Sequence, residues 1–509
     1  TSKTLDFAET WENPKLWWPD DPHLYRLRTT VLVNDSPADV SETTFGFREW
    51  SWQGKDFKLN GIVWHGWADC FRASSPEEWI AFYRQTNQRM MRFWGTSWQG
   101  MAPEEALAFF DKHGVVVRRS GMLDGERIGY NAVEHDPDLV ALYDSPIKMQ
   151  LMKNWKDQLL AQIRGERNHP SVMIWSIENE WLYINCINLH RKYMDLFEEA
   201  VYEVAEAAMA VDPTRPVMTD GGGAGAAQKM PVHGDHYVFK GYTAYPDLAY
   251  EANPTAGGRE RWVWDQKRPR FIGEDFFANG INPFDYSYFG GEETFQGKAQ
   301  SRRAAGIIFR MLTEGYRWAG YGAWHFWMSQ HEAENQYNSN APRAVFCRQW
   351  DWTFGAGQTV RRTFRIFNDT RFDDPIRFAC ELTIDGKTIA KGEREYRVPP
   401  GASETVELAF RMPETSSRVE GTLELVLTVD GEEVFRDEKA VSVLPDAAKT
   451  HPQWPGDLEQ QDLLVYDPHG SVAAFLDEAG IAYTKLEDLD SLPDSGKLLV
   501  VGKDAIDAT

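Results

Sequence analysis

Glu180 ends the run Val172-Met173-Ile174-Trp175-Ser176-Ile177-Glu178-Asn179, and Glu274 ends the run Arg270-Phe271-Ile272-Gly273. Short apolar stretches rich in β-branched residues, the first bounded by Pro170, read as buried parallel strands. Both carboxylates therefore stand at strand C-termini, the end at which a barrel of alternating strands and helices gathers its βα loops and does its chemistry. The two lie 274 − 180 = 94 positions apart, and a βα unit takes about 30 residues. That spacing places them on strands 4 and 7 of an eight-stranded barrel, facing each other across its mouth. Two carboxyls so placed can act on one bond between them, one as a proton donor and the other as a nucleophile.

The run Asn168-His169-Pro170-Ser171-Val172 leading to Asn179-Glu180 carries a resemblance, as do Leu16-Trp17-Trp18-Pro19 and Leu24-Tyr25 ahead of the barrel. Over roughly residues 11–350 the chain resembles glycoside hydrolase family 2, the family of β-galactosidases, β-mannosidases and β-glucuronidases. The resemblance implies a retaining β-glycosidase with no cofactor, in which Glu180 is the acid/base and Glu274 the nucleophile. It further implies that Asn179 binds the sugar 2-hydroxyl and that Arg92, ending strand 2, holds the nucleophile. A tyrosine from strand 6 meets the nucleophile, for which Tyr237 and Tyr242 are both candidates, and Trp324 on strand 8 forms the floor of the sugar subsite. Trp94 joins the substrate-binding set through Arg92-Phe93-Trp94-Gly95, which looks like the Arg-x-Trp-Gly of β-mannosidases and exo-glucosaminidases.

The same roles have physical requirements. Glu180 must keep a proton near neutral pH, which burial beside Trp181 and the like charge of Glu274 favour, and Glu274 must be ionised, which calls for a cation such as Arg92. A retaining enzyme holds the two carboxyls about 5–5.5 Å apart. Asp124, Glu126, Asp220 and Asp275 read as solvated loop acids. Where the β-galactosidase branch carries an acid and a His for magnesium, this chain has Arg118-Arg119-Ser120-Gly121, so no metal is expected. The Gly221-Gly222-Gly223-Ala224-Gly225 run has neither a lysine nor the order of a phosphate loop and reads as a flexible loop. The sugar, and exo against endo action, stay open, and a non-catalytic carbohydrate-binding protein on the same fold is the alternative.

Composition narrows the partners. A net charge of −23 argues against nucleic acid and anionic membrane surfaces, which need Lys and Arg against phosphate. No stretch of 18 apolar residues spans a bilayer. Four cysteines without a CxxC pair imply neither a disulfide framework nor a zinc site. The 21 tryptophans divide between core packing and surfaces on which sugars stack. A carbohydrate is the expected partner, with a homo-oligomer or association with a missing N-terminal segment as further possibilities. A secreted or periplasmic location ranks ahead of a cytoplasmic one.

Along the chain, residues 1–50 read as strands of a partial immunoglobulin-like sandwich, too few to close one. Residues 51–344 form a (β/α)8 TIM barrel, with strand 1 at 62–67, strand 2 at 89–94, strand 3 at 114–117, strand 5 at 216–219, strand 6 within 236–245 and strand 8 at 320–326. Helices fall at 76–87, 103–113, 147–164 and 188–211. From residue 345 the period becomes two, and Asp385-Gly386 and Asp430-Gly431 mark hairpin turns, giving an immunoglobulin-like sandwich to 446. Residues 447–509 read as a linker and a partial α/β domain.

Overall fold

A computed structural model describes residues 5–124, 147–182, 194–236, 262–275, 302–326, 334–445, 462–490, 492–494, 496–503 and 505. Near the start, β1 (Tyr25–Val33) and β2 (Ser36–Phe45) form an antiparallel hairpin whose side chains are mostly exposed. A small antiparallel sheet follows, of β3 (Trp50–Gln53), β4 (Asp56–Leu59) and β5 (Ile62–Trp64). Strand 1 of the sequence reading is thus two elements. Ile62 to Trp64 belongs to this small sheet, and the barrel starts beyond the intervening His65, at β6 (Gly66–Asp69).

Eight parallel strands make the barrel: β6, β7 (Met91–Phe93), β8 (Val117–Asp124), β9 (Val172–Asn179), β10 (Val217–Asp220), β11 (His233–His236), β12 (Arg270–Asp275) and β13 (Ala323–Phe326). They form two ladders, β7-β8-β9-β10 and β11-β12-β13-β6. The ladders meet where Arg89 and Met90 donate to the Trp67 carbonyl and where Gly234 lies against the Thr219 carbonyl. Strand 6 is described over His233–His236 and so begins ahead of the 236–245 window in which the sequence placed it.

The barrel helices obey local rules. In α1 (Pro76–Gln85), Ser75 accepts from the Glu78 amide, Pro76 opens the first turn, and Glu77 and Glu78 complement the helix dipole. Next, α2 (Pro103–His113) begins on a proline and stops at Gly114, whose φ of 70° is left-handed. A Cβ at Gly114 would also strike the Pro19 carbonyl, so the helix end and the N-terminal segment fix each other. Among the described residues, the remaining barrel helices are α3 (Ile147–Glu166), α4 (Met194–Val211) and α5 (Arg302–Ala319).

Strand alternation sorts side chains into two layers. Met91, Phe93, Val117, Trp175, Ile177 and Val217 point outward into a core shared with α1 to α4. Ala68, Val116, Ile174, Met218, Phe271 and Ala323 share the other core with Trp17, Trp50, Phe57, Leu59 and Trp64. The N-terminal segment and the small sheet therefore close the bottom of the barrel with aromatic rings. Trp17 anchors this plug by donating its Nε1 to the Asp111 carbonyl at 2.9 Å.

Beyond the barrel, β14 (Arg343–Cys347), β15 (Thr353–Gly355), β16 (Thr359–Asn368), β17 (Ile376–Ile384), β18 (Lys387–Tyr396), β19 (Ala402–Arg411), β20 (Val419–Val429) and β21 (Glu432–Leu444) form two sheets around one apolar core. The turns at Asp385-Gly386 and Asp430-Gly431 have positive φ at both residues, as two-residue hairpins require. Two arginines of α5 reach into the sandwich. Arg310 donates to both Asp437 oxygens, at 3.1 and 2.7 Å, and Arg317 donates to Asp369 at 2.7 Å and to the carbonyls of Ser339 and Ala341. At the end, β22 (Leu463–Tyr466), β23 (Thr484–Leu486) and β24 (Leu498–Val501) make a small parallel sheet beside α6 (Ser471–Glu478).

Arg317 is buried among Trp67, Phe346 and Phe367, so removing it leaves the buried Asp369 carboxylate with His65 but without its arginine, and takes a donor from two carbonyls. Arg317→Ala should lower the unfolding free energy by about 3–5 kcal/mol. Urea denaturation of wild type and variant measures this, and a loss below about 1 kcal/mol would contradict the account.

Candidate active site

The inward positions at the upper end of the barrel are polar and charged. Arg92 on β7 and Arg118 and Ser120 on β8 face Ser176 and Asn179 on β9, Asp220 on β10, His236 on β11, and Glu274 on β12. All are buried. Strand alternation gives Arg92, Arg118 and Ser176 this direction, because Met91, Phe93, Val117, Trp175 and Ile177 point into the apolar outer core, and Arg119, between Arg118 and Ser120, turns outward to pair with Glu166.

Glu274 reaches the axis by a break in that alternation. On β12, Ile272 faces outward, and Asp275 also faces outward, accepting from the Tyr316 hydroxyl at 2.5 Å. The ladder to β13 is irregular between these two residues, so Gly273 and Glu274 both lie on the inner side. Glu180 enters by a different route. Its φ of 54° is left-handed, and its amide donates to the Asp220 carbonyl at 2.9 Å, turning the chain at the end of β9.

One oxygen of Glu180, one oxygen of Glu274 and one ring nitrogen of His236 lie within 4.8 Å of one another. These atoms are engaged in ion pairs. Arg92 donates Nη1 to Glu274 and Nη2 to Asn179 at 2.6 Å, with its Nε on Ser120 at 3.2 Å, and it stacks on Trp94 at 4.8 Å. His236 faces Glu180 through Nδ1 at 2.7 Å and Asp220 through Nε2 at 2.6 Å. Asp220 takes a further bond from Ser176 at 2.9 Å and is paired with Arg118, while Arg92 lies 3.5 Å away.

The charges respond to this crowding. Burial alone would raise the Asp220 carboxyl, but Arg118, His236 and Arg92 pull it far below the usual carboxylate range. Burial would likewise neutralise His236, but Asp220 and Glu180 raise its imidazole to about 10. Arg118 is pushed down to about 10 by burial and by Arg92. Burial and the two arginines hold His325 well below its usual value, so it is a neutral ring. Glu178 accepts from the amides of Trp181 and Asp220, at 2.6 and 2.7 Å, and burial beside Asp220 raises it to about 8.

Of the residues expected from the sequence, Glu180, Glu274, Asn179, Arg92 and Trp94 come together. Tyr237 and Tyr242 lie outside the described residues, as does Glu126. Trp324 is not brought to the glutamates: on β13, Ala323 and His325 face the axis, whereas Trp324 stacks on Trp67 in the outer layer, with ring centroids 5.4 Å apart. The register of strand 8 makes His325 the inward residue. Asp124, Asp220 and Asp275 are also corrected, being 4 %, 0 % and 1 % exposed and not solvated. Sequence reasoning gave no site role to His236 or Arg118 and misread Asp220 as a solvated acid. A charged residue ending or interrupting an apolar run was the signal at Arg118 and Asp220, whereas the polar strand His233–His236 gave none for His236.

Comparison with known proteins follows the same lines. Residues 2–48 match the model for glycosyl hydrolases family 2, and residues 95–287 match the family 2 TIM barrel domain. Both matches are to models of one family, glycosyl hydrolases family 2. Among family relatives, a protein of Formosa agariphila provisionally named β-glucuronidase is 24% identical over 298 residues, covering 53% of this chain and 26% of the relative. The β-galactosidase BoGH2A of Bacteroides ovatus is 30% identical over 183 residues, covering 34% of this chain and 20% of that protein. The chain thus spans about a quarter or less of the length of these relatives. Solved structures of β-glucuronidases from Parabacteroides merdae and Bacteroides uniformis align with TM-scores of 0.43 and 0.42, each at 14% identity. They cover 86% and 95% of this chain, which covers 57% and 58% of theirs.

The raised carboxyl of Glu178 has a consequence for stability. The unfolded chain releases this proton near 4.5 and the folded chain near 8. Between these values the folded state binds more protons, so stability falls as pH rises and levels off above the window. Unfolding free energies measured from about pH 5 to 8 should fall by up to about 1.4 kcal/mol per unit more in wild type than in Glu178→Gln. Parallel curves for the two proteins would refute the assignment.

Proposed function

We propose that this chain hydrolyses β-glycosidic bonds of oligo- or polysaccharides by a retaining double displacement. Glu274 attacks the anomeric carbon as Glu180 gives its proton to the leaving oxygen. A covalent glycosyl-enzyme forms, and water then releases the sugar as Glu180 takes a proton back. The observation that carries this reading is the pair of carboxylate oxygens within 4.8 Å, with an arginine on one glutamate and a histidine on the other. An inverting enzyme needs room for a water molecule between its carboxyls, at about 6.5–9.5 Å.

Arg92 supports the nucleophile in two ways. Its positive charge favours the ionised form of Glu274, and its fork ties Glu274 to Asn179, which is placed to take the sugar 2-hydroxyl. Asn179 is oriented in turn by the hydrogen bond that its Nδ2 donates to Asp124 at 3.2 Å. Trp94, partly exposed beside Arg92, offers an apolar face to a sugar ring. The relatives carry β-glucuronidase and β-galactosidase names, so the sugar is a question for a substrate panel.

A panel of aryl β-glycosides should reveal turnover with retained anomeric configuration by NMR. Glu274→Gly should abolish turnover and regain it with azide as a glycosyl azide of inverted configuration. Rescue of Glu180→Ala should give the retained azide, after a fall of about 10²–10⁴-fold in general acid catalysis. An inverted product from wild type, or exchanged outcomes for the two variants, would overturn the mechanism.

A further inference from the structure

The Asp220–His236–Glu180 line has a direction that the two-glutamate mechanism does not use. Asp220 is completely buried and is held ionised by Arg118 and Arg92, so its Oδ1 accepts a hydrogen bond from His236 Nε2. The opposite ring nitrogen, Nδ1, faces Glu180 Oε1 at 2.7 Å. A ring fixed as an imidazolium donates from both nitrogens.

The slot for this ring is cut by two glycines. A Cβ at Gly273 would collide with Asp220 Oδ1 and stand 2.5 Å from His236 Nε2, and one at Gly221 would press on the ring at 3.2 Å. Gly221 also has a left-handed φ of 84°. Backbone and charge together therefore hold the imidazole in one place.

We propose that His236 is a positioning residue for Glu180: by donating to Oε1 it leaves Oε2 as the oxygen that carries the catalytic proton, and its charge makes that carboxyl a stronger acid. This rests on the glycosidase reading above. In the first step the proton passes from Glu180 Oε2 to the leaving oxygen as that oxygen's bond to the anomeric carbon breaks and the Glu274 bond forms. In the second step Oε2 takes a proton from the attacking water. His236 keeps both of its protons throughout, so the step balances without further reactants.

The charges around the ring come from every neighbouring strand. Glu178 and Glu180 lie on and just beyond β9, Asp220 on β10 and Glu274 on β12. Among the described residues, Arg92 on β7, Arg118 on β8 and the neutral His325 on β13 complete the set. Two cations offset Asp220 and Glu274, and His236 is the third, placed directly on Glu180.

The test compares His236→Asn, which keeps a donor without the charge, with His236→Ala, which removes both. Wild-type turnover of the aryl glycosides is measured first, and its absence would defeat the glycosidase reading and not the ion pair. Loss of a cation beside Glu180 weakens the acid, so the alkaline limb of kcat/KM should move up by about 1–3 pH units in both variants. His236→Ala should lose about 10²-fold on glycosides with poor leaving groups, with little change on dinitrophenyl glycosides that need no acid. His236→Asn should recover much of that loss. Nitrogen-15 NMR of histidine-labelled wild type should show both His236 ring nitrogens protonated at pH 8, whether or not either variant folds. An unmoved alkaline limb with equal losses on both substrates, or a neutral His236 ring at pH 8, would overturn the proposal.

Discussion

A carboxylate sealed from water at the centre of a barrel is tolerable only if opposite charge reaches it from several sides. Asp220 meets this condition through Arg118, Arg92 and His236, with Ser176 filling another lone pair. Those partners come from four different strands, so the barrel must be closed before the charges can be satisfied. Each partner then has a second task. Arg92 reaches Glu274 and Asn179, Arg118 reaches the Gly273 carbonyl, and His236 reaches Glu180. The geometry of the two glutamates is thus set by a residue that neither of them touches through its side chain.

Such a centre needs a rigid frame. The apolar outer layer between strands and helices supplies it on the sides, and the aromatic plug of Trp17, Trp50, Phe57 and Trp64 supplies it below. On the far side of β12 and β13, α5 is clasped to the two-sheet sandwich by Arg310 and Arg317. Because β12 carries Glu274, the sandwich bears indirectly on the upper end of the barrel.

Legibility in the sequence followed burial. Strands β9 and β12 stood out because both are buried and each carries a short apolar run, Val172 to Trp175 and Phe271 to Ile272, against which the acids that follow were conspicuous. Helix α2 was marked at both ends by Pro103 and Gly114. The two hairpin turns of the sandwich were marked by Asp-Gly pairs. What stayed hidden depended on which way a side chain faces. A four-residue strand such as β13 reads equally well in either phase, so Trp324 and His325 could not be told apart by pattern alone. Asp220 borders a glycine run and resembled a loop acid, because its three cations lie 16 to 128 positions away, from His236 back to Arg92. Strand β11 holds two histidines, a glycine and an aspartate, and polar content of that kind conceals a buried strand.

The left-handed backbone at Glu180 bears on how such a sequence can drift. Glycine and asparagine occupy that conformation more comfortably than glutamate, which is held there at a cost of order 1 kcal/mol or more. Replacement of Glu180 by Gly would ease this backbone while taking a buried carboxylate away from His236. Backbone and ion pair therefore pull in opposite directions at this position, and a glutamate that persists there in a lineage is kept for its carboxylate and not for its conformation.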